Sequence, residues 1–129
     1  MKILACLILA ASLCSADVPQ WVVRGVAFAE SSSYYKDGAL VWVNHGRDRD
    51  SLGPFQVREI AWRQVAKPGE RFEDMGTDVL YAETVARRYL TWIYRHSGKQ
   101  DWDLTIEKYN AGPRGRSPKY LAKVKAASK

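Results

Sequence analysis

Glu30 closes an apolar run and is followed at once by three serines, in Ala27-Phe28-Ala29-Glu30-Ser31-Ser32-Ser33. It lies seven residues after Val23, four after Val26 and three after Ala27, so on a helix these four side chains share one face. A carboxyl on an apolar face is partly desolvated, which favours its neutral form. The C-terminal end of a helix adds a dipole that disfavours negative charge. Both effects raise the affinity of Glu30 for a proton. A carboxylic acid kept protonated near neutral pH is suited to general-acid cleavage of a glycosidic bond. The plain alternative is a helix-end glutamate paired with a nearby Arg or Lys. Its position weighs against that, because charged glutamates normally occupy the wet face.

Two further segments could contribute to such a site. In Ser51-Leu52-Gly53-Pro54-Phe55-Gln56-Val57, Gly53 and Pro54 make a tight turn and Gln56 stands between apolar neighbours. Gln56 either caps backbone groups in a loop leading to a helix, or hydrogen-bonds a polar ligand in a cleft. Tyr109-Asn110-Ala111-Gly112-Pro113 reads as a helix stop, Asn then Gly then Pro.

These residues need elements to hold them. Asp17-Val18-Pro19 predicts a helix start, with Asp17 as cap and Pro19 in the first turn, running to about Ser31. Asp37-Gly38 is a turn signal, and Ala39 to Val43 a short strand. Asn44 to Gly53 is a polar loop, and Glu59 to Ala66 a helix. The clearest period runs from Thr77 to His96, where Ala82, Val85, Ala86, Tyr89, Leu90 and Ile93 share a face. Ser97-Gly98 stops it. A helix from Asp103 to Tyr109 follows, and a last one starts at Ser117-Pro118 with Leu121 and Val124 inward. The expected fold is mainly α, of α+β lysozyme-like type, a single small domain with a cleft and at most a small β-hairpin.

The chain has 129 residues. Lys2, the apolar stretch Ile3 to Leu13 and the small residues before position 17 predict a secretory signal peptide over residues 1–16. The stretch is short of the roughly 20 residues of a membrane-spanning helix. A buried N-terminal helix fits less well, being apolar all round. A lipid-modified Cys14 is disfavoured by the bulk of Leu13. Cleavage after Ala16 would remove both cysteines, Cys6 and Cys14, so the domain at 17–129 would have no disulfide and depend on its core alone. Net charge is +6, or +5 without Lys2. A basic, exported chain points to an anionic partner at the cell envelope rather than to nucleic acid. His45 and His96 stand far apart without a ligand set, so no metal site is expected. Trp42, Trp62, Trp92 and Trp102 are read as core or sugar-stacking residues.

Taken in order, Glu-Ser at a helix end, Ser-x-Gly-x-x-Gln and Tyr-Asn-Ala-Gly-Pro resemble the catalytic domain of the soluble lytic transglycosylases, which are related to goose-type lysozyme. The resemblance covers roughly Val18 to Val124 and includes Tyr89-Leu90. It implies that Glu30 is the single catalytic acid and base. Glu30 would cleave the β-1,4 bond between N-acetylmuramic acid and N-acetylglucosamine in peptidoglycan and close a 1,6-anhydro ring without water or cofactor. It also implies substrate-binding positions at Ser31, Ser51, Gly53, Gln56, Tyr109 and Asn110, with Tyr109 bonded to Glu30 or to the sugar. This chain has Gly53-Pro54-Phe55-Gln56 where the family often has Gly-Leu-Met-Gln, and its segment from Tyr34 to Asp50 is longer and more charged.

Three alternatives remain. A muramidase on the same fold would hydrolyse the bond with a second carboxylate, for which Asp37, Asp48 and Asp50 are candidates. A wall-binding protein without turnover would be expected to have lost the acid. A nucleic-acid module should show a basic stripe with interleaved aromatics and no leader. The expectation is a monomer in the periplasm or outside the cell, acting on peptidoglycan strands. Its size suits local opening of the wall for a secretion, pilus or wall-remodelling machine.

Overall fold

The computed structural model describes residues 17–46 and 50–128. The expected leader, residues 1–16, and Asp48 lie outside them. The described chain is mainly helical, with two small antiparallel strand pairs.

Helix α1 (Gln20–Ser31) begins one residue after Pro19, which takes the capping position itself. Pro19 O accepts from Val22 N–H at 3.0 Å, so Asp17 does not supply the expected side-chain cap. The apolar positions then do what their spacing requires. Val22, Val23, Val26 and Ala27 are fully buried, each valine contributing about 1.5 kcal/mol or more of transfer free energy. Ser32 ends the helix in the left-handed region, φ 57°, and donates its N–H to Phe28 O at 2.8 Å.

Strands β1 (Tyr34–Lys36) and β2 (Ala39–Val41) form a hairpin, with Tyr34 facing Val41 and Lys36 facing Ala39. Its two turn residues, Asp37 and Gly38, both have positive φ, the geometry that suits tight hairpins. The strand stops at Val41, not Val43. Beyond it Val43 N–H turns to Ser33 Oγ at 3.1 Å and Asn44 N–H to Ser31 O at 2.9 Å, so the chain is drawn back along the end of α1.

A second pair, β3 (Ser51–Leu52) and β4 (Val57–Arg58), was expected only as a loop. Its turn is fixed by Gly53, φ 84°, where a Cβ would lie 2.7 Å from Met75 O. Helix α2 (Glu59–Val65) follows directly, and a 3₁₀ turn (Phe72–Gly76) buries Phe72 and Met75.

The long helix α3 (Val79–His96) is capped by Asp78, whose carboxylate accepts from Tyr81 N–H at 3.0 Å. It buries Ala82, Val85, Ala86, Leu90 and Ile93, as the period predicts. Arg87 on this helix reaches Val18 O at 3.3 Å and Gln20 Oε1 at 2.7 Å, tying down the start of α1. Helix α4 (Trp102–Ala111) is capped by Asp101 through Asp103 N–H at 2.9 Å, and so starts one residue before Asp103. Helix α5 (Pro118–Ala127) has Pro118 in its first turn. The Ser117 hydroxyl does not cap it but donates to Asn110 Oδ1 at 2.9 Å. Val124 is fully buried and Leu121 packs partly against the core. Among the described elements, helices α1 and α5 make the most extensive contact. Gly25 faces Val124 there, and a Cβ on Gly25 would stand 2.5 Å from Val124 O.

Candidate active site

The end of α1, the β3–β4 hairpin and the end of α4 surround a cleft of about 620 Å³. Glu30, Ser51, Gln56, Tyr89, Tyr109 and Asn110 all line it, although they come from four separate parts of the chain. Glu30 is half-buried. Among the described residues it is the only carboxylate on the lining, and Arg58 the only cation.

The partner of the acid differs from the one the sequence suggests. Tyr109 does not bond Glu30; its hydroxyl donates to Phe55 O at 2.6 Å, which fixes α4 to the turn before Gln56. Tyr120, on α5, donates instead to Glu30 Oε2 at 2.6 Å, approaching from outside the cleft lining. Both rings keep some exposed surface, but their hydroxyls sit deep. Burial pushes both hydroxyls well above the ordinary tyrosine range, and the negative charge of Glu30 adds to it. Both therefore stay protonated and remain donors. Tyr120 precedes Val124 by one helical turn, and that spacing was the available signal for an inward residue. Tyr120→Phe keeps the packing and removes a hydrogen bond to an ionisable group, worth about 1.5 kcal/mol. The expected result is an unchanged fold by circular dichroism and a kcat about tenfold lower. An unaltered kcat would show that this bond plays no part in turnover.

Ser31 and Gly53, expected among the substrate contacts, do not line the cleft. Ser31 is 3% exposed and its hydroxyl donates to Pro54 O at 2.7 Å, with Ser33 Oγ 2.6 Å away. It joins the end of the acid's helix to the β3–β4 turn and so sets where Glu30 stands. Gly53 permits that turn. Gln56, at φ 48°, lines the cleft, but its amide is engaged within the protein. Oε1 accepts from Ser51 Oγ at 2.7 Å, and Nε2 donates to Gly53 O at 2.9 Å and Gly46 O at 3.1 Å. Ser51 and Gln56 thus brace the hairpin and fasten the segment that leaves the first hairpin to it.

The opposite wall continues through Ala111, Gly112 and Pro113. Two charged residues of α4 hold that loop from beneath. Glu107, 3% exposed, accepts from Arg116 Nε at 3.1 Å and Nη2 at 2.9 Å and from Ser117 N–H at 2.8 Å. The Arg116 guanidinium holds the Glu107 carboxyl below its usual range, against the opposing effect of burial. Lys108 Nζ donates to Pro113 O at 2.6 Å. The sequence reading missed both residues, whose partners lie beyond the helix stop.

Of the candidate second carboxylates, Asp37 occupies the exposed turn of the first hairpin and does not line the cleft. Asp50 is exposed and pairs with Arg58 Nε at 3.1 Å. Trp62 and Trp102 pack against the core, whereas Trp42 stacks on His45 with centroids 3.8 Å apart and Trp92 on His96 at 4.7 Å. Both histidines are exposed.

With this geometry in place, comparison with known proteins gives one informative similarity. A curated lysozyme of Magallana gigas is 34% identical over 76 residues, covering 55% of this chain. The match covers 53% of that lysozyme, so the chain spans about half the length of the curated relative it matches. No protein family model matches the chain, and no solved structure matches it. Over the matched part, the chain is similar to a lysozyme.

Proposed function

We propose that the protein cleaves the β-1,4 glycan bonds of peptidoglycan, with Glu30 as acid and base, and that it does so as a lytic transglycosylase. The similarity to a lysozyme supports cleavage of a wall glycan. One observation carries the finer reading: among the described residues, Glu30 is the only carboxylate lining the cleft. A transglycosylase needs one such group, and an inverting hydrolase two.

In this mechanism Glu30 gives its proton to the oxygen linking C1 of the muramoyl unit to the next sugar. The C1–O bond breaks and positive charge develops at the ring. The carboxylate then takes the proton of the muramoyl 6-hydroxyl, whose oxygen bonds to C1 and closes the 1,6-anhydro ring. Glu30 ends protonated, as it began, and no water is consumed. Pocket burial and the Tyr120 hydroxyl hold the carboxyl at the reacting bond. The proposal includes export, with residues 1–16 removed, and action on envelope peptidoglycan.

A hydrolase is the second reading. The relative is named a lysozyme, and Asp50 pairs with Arg58 on the cleft lining, which brings one acid close to its edge. The products decide between the two. Mass spectrometry of muropeptides released from purified sacculi should show 1,6-anhydromuramoyl ends, absent with Glu30→Gln. Reducing ends would refute the transglycosylase reading and direct attention to Asp50. If nothing is released, the reading of the cleft as a catalytic site fails.

A further inference from the structure

We propose that Arg58 selects the substrate by pairing with a carboxylate carried on the muramoyl side of the glycan, and so separates anionic peptidoglycan strands from neutral chitin-type strands. The inference rests on the glycan-cleaving reading of the cleft.

Arg58 is the last residue of β4 and the residue that precedes α2, so two elements fix its backbone. Its side chain is about half exposed, 52%, and lines the same cleft as Glu30. Asp50 Oδ1 holds Nε at 3.1 Å. The terminal nitrogens make no hydrogen bond or ion pair among the described residues. A guanidinium offers its donors in a planar fork matched to a carboxylate, and here one edge is steadied while the far end is open. An exposed pair such as Asp50–Arg58 is weak, so it orients the cation without cancelling it.

The electrostatics give this cation a task. Glu30 introduces negative charge into the cleft at one stage of the cycle. A substrate carboxylate entering the same space would be repelled unless a cation met it. Arg58 is the only cation on the lining among the described residues. Strands of N-acetylglucosamine alone carry no carboxylate and gain nothing from it. Muramoyl units always offer one. In peptide-free strands it is the lactyl carboxylate; in peptide-bearing strands the lactyl group is an amide and the carboxylates belong to the stem peptide. The shared chemistry is a carboxylate on the 3-O-lactyl branch.

The test compares the protein with Arg58→Gln and Arg58→Lys on three substrates: peptide-bearing strands, the same strands stripped by an amidase, and chitohexaose. Arg58→Gln should raise KM about fivefold on at least one anionic polymer, leaving kcat there and cleavage of chitohexaose unchanged. Arg58→Lys should recover part of the loss, and added salt should shrink it. An effect confined to stripped strands assigns the lactyl carboxylate; one confined to peptide-bearing strands assigns the stem peptide. Equal KM for Arg58→Gln and the parent on both anionic polymers overturns the proposal. So does an equal loss on chitohexaose, which would mean that Arg58 only supports the fold. If the parent cuts none of the three, the catalytic reading fails separately. Co-sedimentation with sacculi then decides for Arg58, which is refuted if Arg58→Gln binds as well as the parent.

Discussion

Glu30→Gln is expected to lower glycan cleavage at least about 1,000-fold while leaving the fold intact. Gln has nearly the shape of Glu and can still accept the Tyr120 hydroxyl, so the interaction that locates the side chain survives. It cannot give or take a proton in the relevant range. General acid–base transfer contributes about 10²- to 10⁴-fold to a rate, and in the proposed mechanism one group serves both half-steps, with no second carboxylate among the described residues of the cleft lining to replace it. Glu30→Asp makes a sharper companion. It keeps the acid but withdraws it by one methylene, and a misplacement of about 1 Å can cost about 100-fold. The measurement is the initial rate of soluble muropeptide release, beside a thermal unfolding curve for each protein. A Glu30→Gln protein retaining more than a tenth of the parental rate would remove Glu30 from the chemistry.

The second large effect lies in packing. Gly25→Ala should destabilise the domain by about 3 kcal/mol and lower the unfolding temperature by roughly 10 °C. Two effects oppose each other. Alanine is a better helix former than glycine by about 1 kcal/mol, which favours the variant. The added methyl, however, would stand 2.5 Å from Val124 O and 2.5 Å from Val124 Cγ1. A side chain could rotate away; the carbonyl belongs to helix α5 and moves only if that helix moves. Overpacking therefore wins. The displaced helix also carries Tyr120, so residual activity should fall further than stability at room temperature alone would explain. Calorimetry and activity on the same sample check both parts. An unfolding temperature equal to or above the parent's would show that the α1–α5 contact yields easily.

Local pattern made much of this architecture legible. The three- and four-residue spacing of Val23, Val26 and Ala27 gave a face for Glu30, and the six apolar positions from Ala82 to Ile93 gave the long helix. Asp37-Gly38 gave the turn of the first hairpin and Ala39 to Val43 its second strand, while Tyr34–Lys36 was not read as a strand. The second strand pair was hidden because strands of two residues are too short to show alternation. The site was harder to read for a different reason. Sequence patterns place residues on elements; they do not say which distant groups their polar atoms meet. Tyr109 was legible as a wall residue, yet its hydroxyl goes to Phe55 O, 54 positions away. Gln56 was legible as a cleft residue, yet its amide is spent on Ser51, Gly53 and Gly46. Ser31 lies next to the acid in sequence and turns away from the cleft to bond Pro54 O. Tyr120 passed unnoticed because its partner lies on the first helix.

That last pairing has a kinetic consequence. Glu30 and Tyr120 are separated by 90 residues, so the hydrogen bond that locates the acid joins helix α1 to helix α5 across most of the described residues. Ribosomes add about 5 to 20 residues per second, so roughly 5 to 20 s pass between the synthesis of the two. Throughout that interval the nascent chain carries a carboxyl without the group that orients it. Contacts so distant in sequence are also formed late, since the closure entropy of the intervening chain must first be met. A chain arrested or clipped before helix α5 would therefore lack an assembled site.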